Sequence, residues 1–239
     1  MKMPEIEFPE GVQSCFGETP EEVAVSLADA VSRFLEQRLA EAPRASLVVS
    51  GGSTPLPFFR VLSEKPLDWS RVDVLLADER WVPEGDPASN TTLVKEHLLQ
   101  NYAAGARFLS LKQPGETPEE GLEAVKRELR DLALPIDVLI LGMGNDGHTA
   151  SLFPDAPELP RAMDTSNPEI VAPMTPPSQA QRRITLTYPV LAEARFTALH
   201  LKGADKLETL EKAVSKPDEL MAMPIRGFLK SGLQIFWSP

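Results

Sequence analysis

The most apolar run in the chain is Val138-Leu139-Ile140-Leu141, and it gives way at once to glycine and polar residues, Gly142 to Thr149. A short unbroken apolar run bounded by glycine has the character of a strand buried on both faces. Apolar-rich segments at 46–49, 72–77, 108–111, 196–201 and 233–237 predict further strands. Between them the period changes. Val23, Leu27, Ala30, Val31, Phe34 and Leu35 recur at helical spacing, so residues 20–40 predict an amphipathic helix. Thr19 stands where an N-cap belongs, Pro20 suits the first turn, and Glu21 and Glu22 complement the helix dipole. Helices are also predicted at 92–99, from 118 to about 132, and from 204 to about 214; Thr117 and Glu120 have capping-box spacing. Ile184 and Leu186 alternate with threonines, which predicts a strand or an extended entry to a helix. Residues 154–181 are proline-rich and lack a strand pattern. They are too long for a plain loop and predict a lid or an irregular subdomain. Strands alternating with helices predict one α/β domain over residues 1–239, built on a mostly parallel sheet with helices on both faces.

In an open α/β sheet, ligands bind at the carboxyl ends of the strands. The polar residues after each apolar run are therefore the candidate chemistry. After 46–49 comes Ser50-Gly51-Gly52-Ser53-Thr54-Pro55. The glycines let the backbone approach a ligand, Ser53 or Thr54 can cap the next helix with Pro55 in its first turn, and free N–H groups at a helix start form an anion site. An ordinary strand-to-helix turn has the same composition, and the tail of a Walker loop is absent. After 72–77 comes Asp78-Glu79-Arg80. Arg80 suits a clamp on phosphate or carboxylate, and Asp78 suits orienting a base or a hydroxyl; the plain alternative is a surface turn with an ion pair.

Gly142 to Gly147 match GxGxxG after a strand, but the context of a dinucleotide site fails, because the chain that follows is broken by prolines. His148 is the stronger clue. It stands where the strand ends and a helix should start, beside Asp146 and Thr149, and an imidazole can take a proton from water near neutral pH. Arg182 and Arg183 precede the 184–187 segment, and either suits an anion; Lys206 lies at a predicted helix start. His97, His148 and His200 show no metal-ligand spacing and no cysteine pair assists them, so no metal is expected. No GxSxG elbow offers a serine nucleophile.

Charge and cysteine usage narrow the classes. With 24 Lys+Arg against 35 Asp+Glu the net charge is -11. That argues against non-specific nucleic-acid binding and against an anionic membrane surface, while a small anionic ligand needs only a local cluster of cations. Cys15 is the only cysteine, which excludes an intramolecular disulfide and fits a reducing compartment. No apolar stretch reaches the roughly 18 residues of a membrane span. The first residues, MKMPEIEFPEG, are acidic and proline-broken, unlike a signal peptide. A soluble cytoplasmic protein is expected, as a monomer or a weak homo-oligomer.

The segments LVVSGGSTP, LADERWVP, LGMGNDGHTASLFP, RITLTYPVL and KGADK, in this order and spacing, resemble the 6-phosphogluconolactonase family. The resemblance runs from about residue 20 to 237, and GMGNDGHTASLFP is its most specific part. It implies a Rossmann-like α/β fold and hydrolysis of a phosphosugar lactone without metal or organic cofactor. Carried over by position, it implies that His148 is the general base, with Asp78 and Asp146 near it. Gly51, Gly52 and Ser53 would line the sugar-phosphate pocket, and Arg80, Arg183 and Lys206 would bind phosphate or lactone. Arg183 is preferred to Arg182 because it abuts Ile184. A deaminase-like isomerase of the same fold and a non-catalytic sugar-phosphate sensor are the alternatives.

Overall fold

The longest helix forms where its cap places it. The computed structural model describes residues 5–239, so the first residues of the stretch contrasted with a signal peptide lie outside it. Strand β1 spans Gln13–Phe16 and helix α1 spans Pro20–Glu41. The Thr19 hydroxyl accepts the Glu22 N–H at 3.2 Å, and the Glu22 carboxylate accepts the Glu18 N–H at 3.0 Å. Two otherwise orphaned donors are thereby satisfied. The apolar stripe of α1, from Val23 to Leu39, is buried. Each such Val or Leu side chain contributes about 1.5–3 kcal/mol on burial.

The chain then alternates: β2 (Ala45–Val49), α2 (Leu56–Ser63), β3 (Val72–Leu76), β4 (Asp78–Arg80), α3 (Asn90–His97), β5 (Arg107–Leu109), α4 (Pro118–Glu128) and β6 (Val138–Leu141). It continues through α5 (Leu159–Met163), β7 (Val171–Met174), β8 (Arg183–Leu186), α6 (Tyr188–Ala192), β9 (Phe196–Lys202), α7 (Ala204–Ser215) and β10 (Leu233–Ser238). A seven-stranded sheet runs β1-β10-β9-β6-β2-β3-β5. Every neighbouring pair in it is parallel. All residues of β2, β3 and β6 are buried, so both faces of the sheet are covered, as the unbroken apolar runs predict. From β2 the chain winds outward through β3 to β5, then returns past β2 to β6, β9 and β10. The winding reverses between β2 and β6, and a reversal of this kind opens a crevice at the carboxyl edge.

The opposite edge is tied by buried carboxylates. Asp137, just before β6, accepts the Ser46 N–H at 2.9 Å and the Arg38 Nε–H at 2.9 Å. Asp73 of β3 accepts from Arg44 and Arg107. Burial pushes the Asp73 carboxyl up, and the two arginines more than offset it, holding it below its ordinary value.

Several expectations are corrected. β1 carries too weak a pattern to predict, being a four-residue edge strand with Gln13 and Ser14 exposed. Neither Ser53 nor Thr54 caps α2; Pro55 occupies the cap position, one or two residues later than expected. Asp78-Glu79-Arg80 is not a surface turn but a strand, β4, in a separate antiparallel sheet β4-β8-β7. Within the proline-rich segment, 171–174 form β7, an edge strand that tolerates Pro173 because edge strands do not need every ladder donor. No helix starts at His148; the next one, α5, begins at Leu159.

Candidate active site

The crevice at the reversal of winding is a cavity of about 290 Å³. Its walls come from the loops after β2 and β6, from β4, β8 and the carboxyl end of β9, and from the starts of α3 and α7. Ser50, Gly51 and Gly52 follow β2, and the Ser50 hydroxyl donates to the Ile140 carbonyl at 2.9 Å, which ties that loop to β6. Asn90, the first residue of α3, closes this wall. A methyl group on Gly51 would lie 2.1 Å from the Asn90 Oδ1, so the bare glycine is what lets the buried amide stand against the loop.

Asn90 is held there by Glu79. Glu79 is fully buried and accepts the backbone N–H of Asn90 at 2.9 Å and of Thr91 at 2.8 Å, plus the Thr91 hydroxyl at 2.7 Å. Burial pushes its carboxyl up, and these hydrogen bonds only partly offset that. The middle acid of Asp78-Glu79-Arg80 is thus a brace at the start of α3, while its neighbours face the cavity.

The histidine loop follows β6. Asp146 Oδ1 lies 2.6 Å from His148 Nδ1 and also accepts the His148 backbone N–H at 3.0 Å. Burial raises the Asp146 carboxyl, and the contacts with His148 more than offset it, so its pKa is below the ordinary value. An ionised Asp146 favours a proton on Nδ1, and in the neutral ring that leaves Nε2 with the lone pair. The ring lies over the backbone of Gly144, where a Cβ would be 2.2 Å from Nδ1. Phe153, buried, stacks on the imidazole with centroids 4.1 Å apart and planes 24° apart. The Thr149 hydroxyl donates to the Gly142 carbonyl at 2.7 Å and closes the loop. Ala150, next in line, has φ 50°, a left-handed conformation that costs a residue with a Cβ and is typical of functional loops.

The cations converge on the same space. Arg183 of β8 is buried, with Nη1 3.7 Å from Asp78 Oδ2 and its guanidinium 5.2 Å from the Phe153 ring. Burial pushes its pKa down; Asp78 opposes this and Arg80 adds to it. Asp78 also accepts the Ser151 hydroxyl at 2.5 Å. Arg80 donates to the Ala88 carbonyl at 3.0 Å. The Nε of both arginines is buried without a partner. Lys206 reaches across from α7 to the Asn145 Oδ1 at 2.8 Å.

Gly51, Gly52, Asp78, Arg80, His148, Arg183 and Lys206 all line the cavity, and Asp146 backs His148. Ser53 does not line it, although Gly52 before it and Thr54 and Pro55 after it do; Ser53 is exposed, and its carbonyl accepts the Leu56 N–H at 3.3 Å. Arg182 is exposed, and its carbonyl pairs with Trp81 N–H, so Arg183 is the arginine inside. Asn90, Thr149, Lys202 and His200 line the cavity and were not singled out as site residues from the sequence. Asn90 had a signal, the Ser-Asn pair opening α3. Among the described residues, no group of three or more His, Cys, Asp or Glu gathers to hold a metal ion, and no helix is long and apolar enough to cross a membrane.

A parallel α/β sheet with an imidazole–carboxylate pair and facing guanidinium groups in its crevice defines an enzyme class that acts on small anionic substrates. Comparison with known proteins sharpens this. The family model described as glucosamine-6-phosphate isomerases/6-phosphogluconolactonase matches residues 18–237, and the chain belongs to that family. A 6-phosphogluconolactonase of Pseudomonas aeruginosa is 48% identical over 239 residues, covering 100% of both chains. One of Rhizobium meliloti is 44% identical over 225 residues, covering 93% of this chain and 97% of its own. The crystal structure of a 6-phosphogluconolactonase from Shewanella baltica matches with TM-score 0.93 at 40% identity, covering 98% of this chain and 100% of that one.

Proposed function

We propose that this protein hydrolyses 6-phospho-D-glucono-1,5-lactone to 6-phosphogluconate, the lactonase step of the oxidative pentose phosphate pathway. The observation that carries the reading is the full-length 48% identity to a 6-phosphogluconolactonase. The site supplies a matching mechanism. A lactone is an activated ester, so water can open it without a covalent nucleophile. In this reading Asp146 holds Nδ1–H, and His148 Nε2 takes a proton from water as it attacks the lactone carbonyl. The alkoxide of the tetrahedral intermediate is stabilised by a guanidinium or by N–H groups of the glycine loops. Collapse expels the ring oxygen, which takes the proton back from His148. Arg80, Arg183 and Lys206 hold the phosphate, and Asp78 orients Arg183. The chain acts as one domain, on a free phosphosugar lactone.

The residues after His148 disfavour an aminosugar isomerase. Thr149, Ala150 and Ser151 offer no carboxylate, and the Thr149 and Ser151 hydroxyls are already engaged with Gly142 and Asp78. Freshly prepared lactone, followed by proton release against its spontaneous opening, tests the proposal. Glucosamine 6-phosphate is run in parallel. Rapid opening with no ammonia is the expected result. Ammonia release would make the protein a deaminase, and bound but unopened lactone would make it a sensor.

Gly51→Ala is expected to fold normally and to lose about 10–100-fold in kcat/KM, because the new methyl must displace the Asn90 amide from the wall. Steady-state kinetics beside a melting curve read this out. An unchanged kcat/KM would mean that Asn90 swings aside freely and plays no part.

A further inference from the structure

His200 has no part in the reaction described above, yet it stands in the wall of the same cavity. It lies on β9, opposite Phe236 of β10, and only 6% of it is exposed. The Phe58 ring meets it edge-on, with centroids 6.1 Å apart. Its Nδ1 is buried and has no hydrogen-bond partner. Burial pushes its pKa down to about 4, so the ring is neutral near pH 7.

A polar group left unpaired inside a protein costs stability that an apolar side chain of similar size would not. Leucine or phenylalanine would suit the Phe58 contact equally well. An unpaired imidazole in a ligand cavity is accounted for if its partner arrives with the ligand. The chemistry of that partner follows from the other walls. Arg80, Arg183, Lys202 and Lys206 already bring positive charge to the cavity. A neutral imidazole, with one N–H and one lone pair, instead matches a hydroxyl, which both donates and accepts. A half-turn of the ring exchanges Nδ1 with a carbon in nearly the same volume, so a nitrogen can be presented to the cavity without backbone movement.

We propose that His200 is a specificity residue that hydrogen-bonds one ring hydroxyl of the sugar-phosphate substrate. The identity of that substrate rests on the lactonase reading. His200→Leu is expected to melt at the same or a higher temperature than the wild type, to keep its kcat, and to raise KM about three- to tenfold. His200→Asn restores part of the affinity. A purely structural role for His200 would lower the melting temperature of His200→Leu and leave KM alone. Monodeoxy lactones then identify the contact. For one of them, wild type and His200→Leu should have equal KM, because the hydroxyl is missing in both cases. A normal KM in His200→Leu, or the same wild-type-to-variant ratio for every deoxy lactone, overturns the proposal. Should His200→Leu fail to fold, His200→Asn and the His200 ring-nitrogen shifts in the wild type decide. Those shifts, followed by NMR, should move when 6-phosphogluconate is added, and unmoved shifts in a protein that binds it also overturn the proposal. A wild type that leaves the lactone unopened strikes the lactonase reading instead, and the NMR titration still tests His200.

Discussion

His148→Ala is expected to lower kcat by about 10²–10⁴-fold, the usual contribution of a positioned base, with little change in melting temperature. The physical case rests on how the ring is held. Asp146 fixes one nitrogen at 2.6 Å, Phe153 fixes the plane of the ring, and Gly144 makes room for it to lie against the backbone. All these restraints act on the side chain, and none of the loop's own ties depends on the imidazole. The Thr149 hydroxyl still closes on Gly142, and the Ile225 N–H still donates to the Gly147 carbonyl at 2.9 Å. Removing the ring should therefore leave the loop in place and remove the base. The fall should appear in kcat far more than in KM, because a base for water makes its main contribution in the transition state. Proton release with saturating lactone measures it, and circular dichroism confirms the fold. Undiminished turnover in a folded variant would remove His148 from the chemistry and leave a cation-bound water as the remaining route.

The core and the sheet were legible because their signals are local. An unbroken apolar run such as Val138–Leu141 needs no partner to be recognised, and a cap such as Thr19 acts within one turn. The placement of His148 was legible for a related reason, since it follows β6, whose carboxyl end reaches the ligand edge; Arg183 opens β8 in the antiparallel sheet, and only the family resemblance singled it out. Long-range pairing was not legible. Glu79 reads as one more surface charge until the start of α3, 11 residues on, is seen folded over it. β7 reads as proline-broken loop until β8 lies beside it. His200 reads as one residue of an apolar strand, and only the folded cavity shows that it lines the wall. Ser53 failed in the opposite way. Its neighbours Gly51, Gly52, Thr54 and Pro55 belong to the cavity, and only the folded turn shows that Ser53 alone among them is left out of the wall.

Arg183→Met is expected to raise KM about 10–100-fold while kcat changes far less, because a charge-assisted contact to phosphate is lost from ground state and transition state alike. Methionine fills most of the volume, so the loss is one of charge rather than of packing. Arg183 is incompletely paired in the free state. It is buried, and although Nη2 donates to the Gln179 Oε1 at 2.9 Å, its Nε has no partner, its ion pair with Asp78 is long at 3.7 Å, and Arg80 repels it. Groups left in that condition are stabilised by an incoming anion. Inorganic phosphate should therefore raise the melting temperature of the wild type, by the equivalent of about 2.7 kcal/mol at a hundredfold excess over its Kd. In Arg183→Met the rise should shrink sharply. Without phosphate the variant should melt below the wild type, because methionine leaves the buried Asp78 carboxylate with only the Ser151 hydroxyl and takes the Nη2 donor from Gln179, and removing one partner of a buried ion pair is destabilising. Arg182→Met serves as the control. Arg182 lies one residue away but is exposed, and its tie to Trp81 uses only its backbone carbonyl, so neither KM nor the phosphate response should move. A normal KM and an undiminished phosphate response in Arg183→Met would confine Arg183 to bracing β8 and leave the phosphate to Arg80 and Lys206.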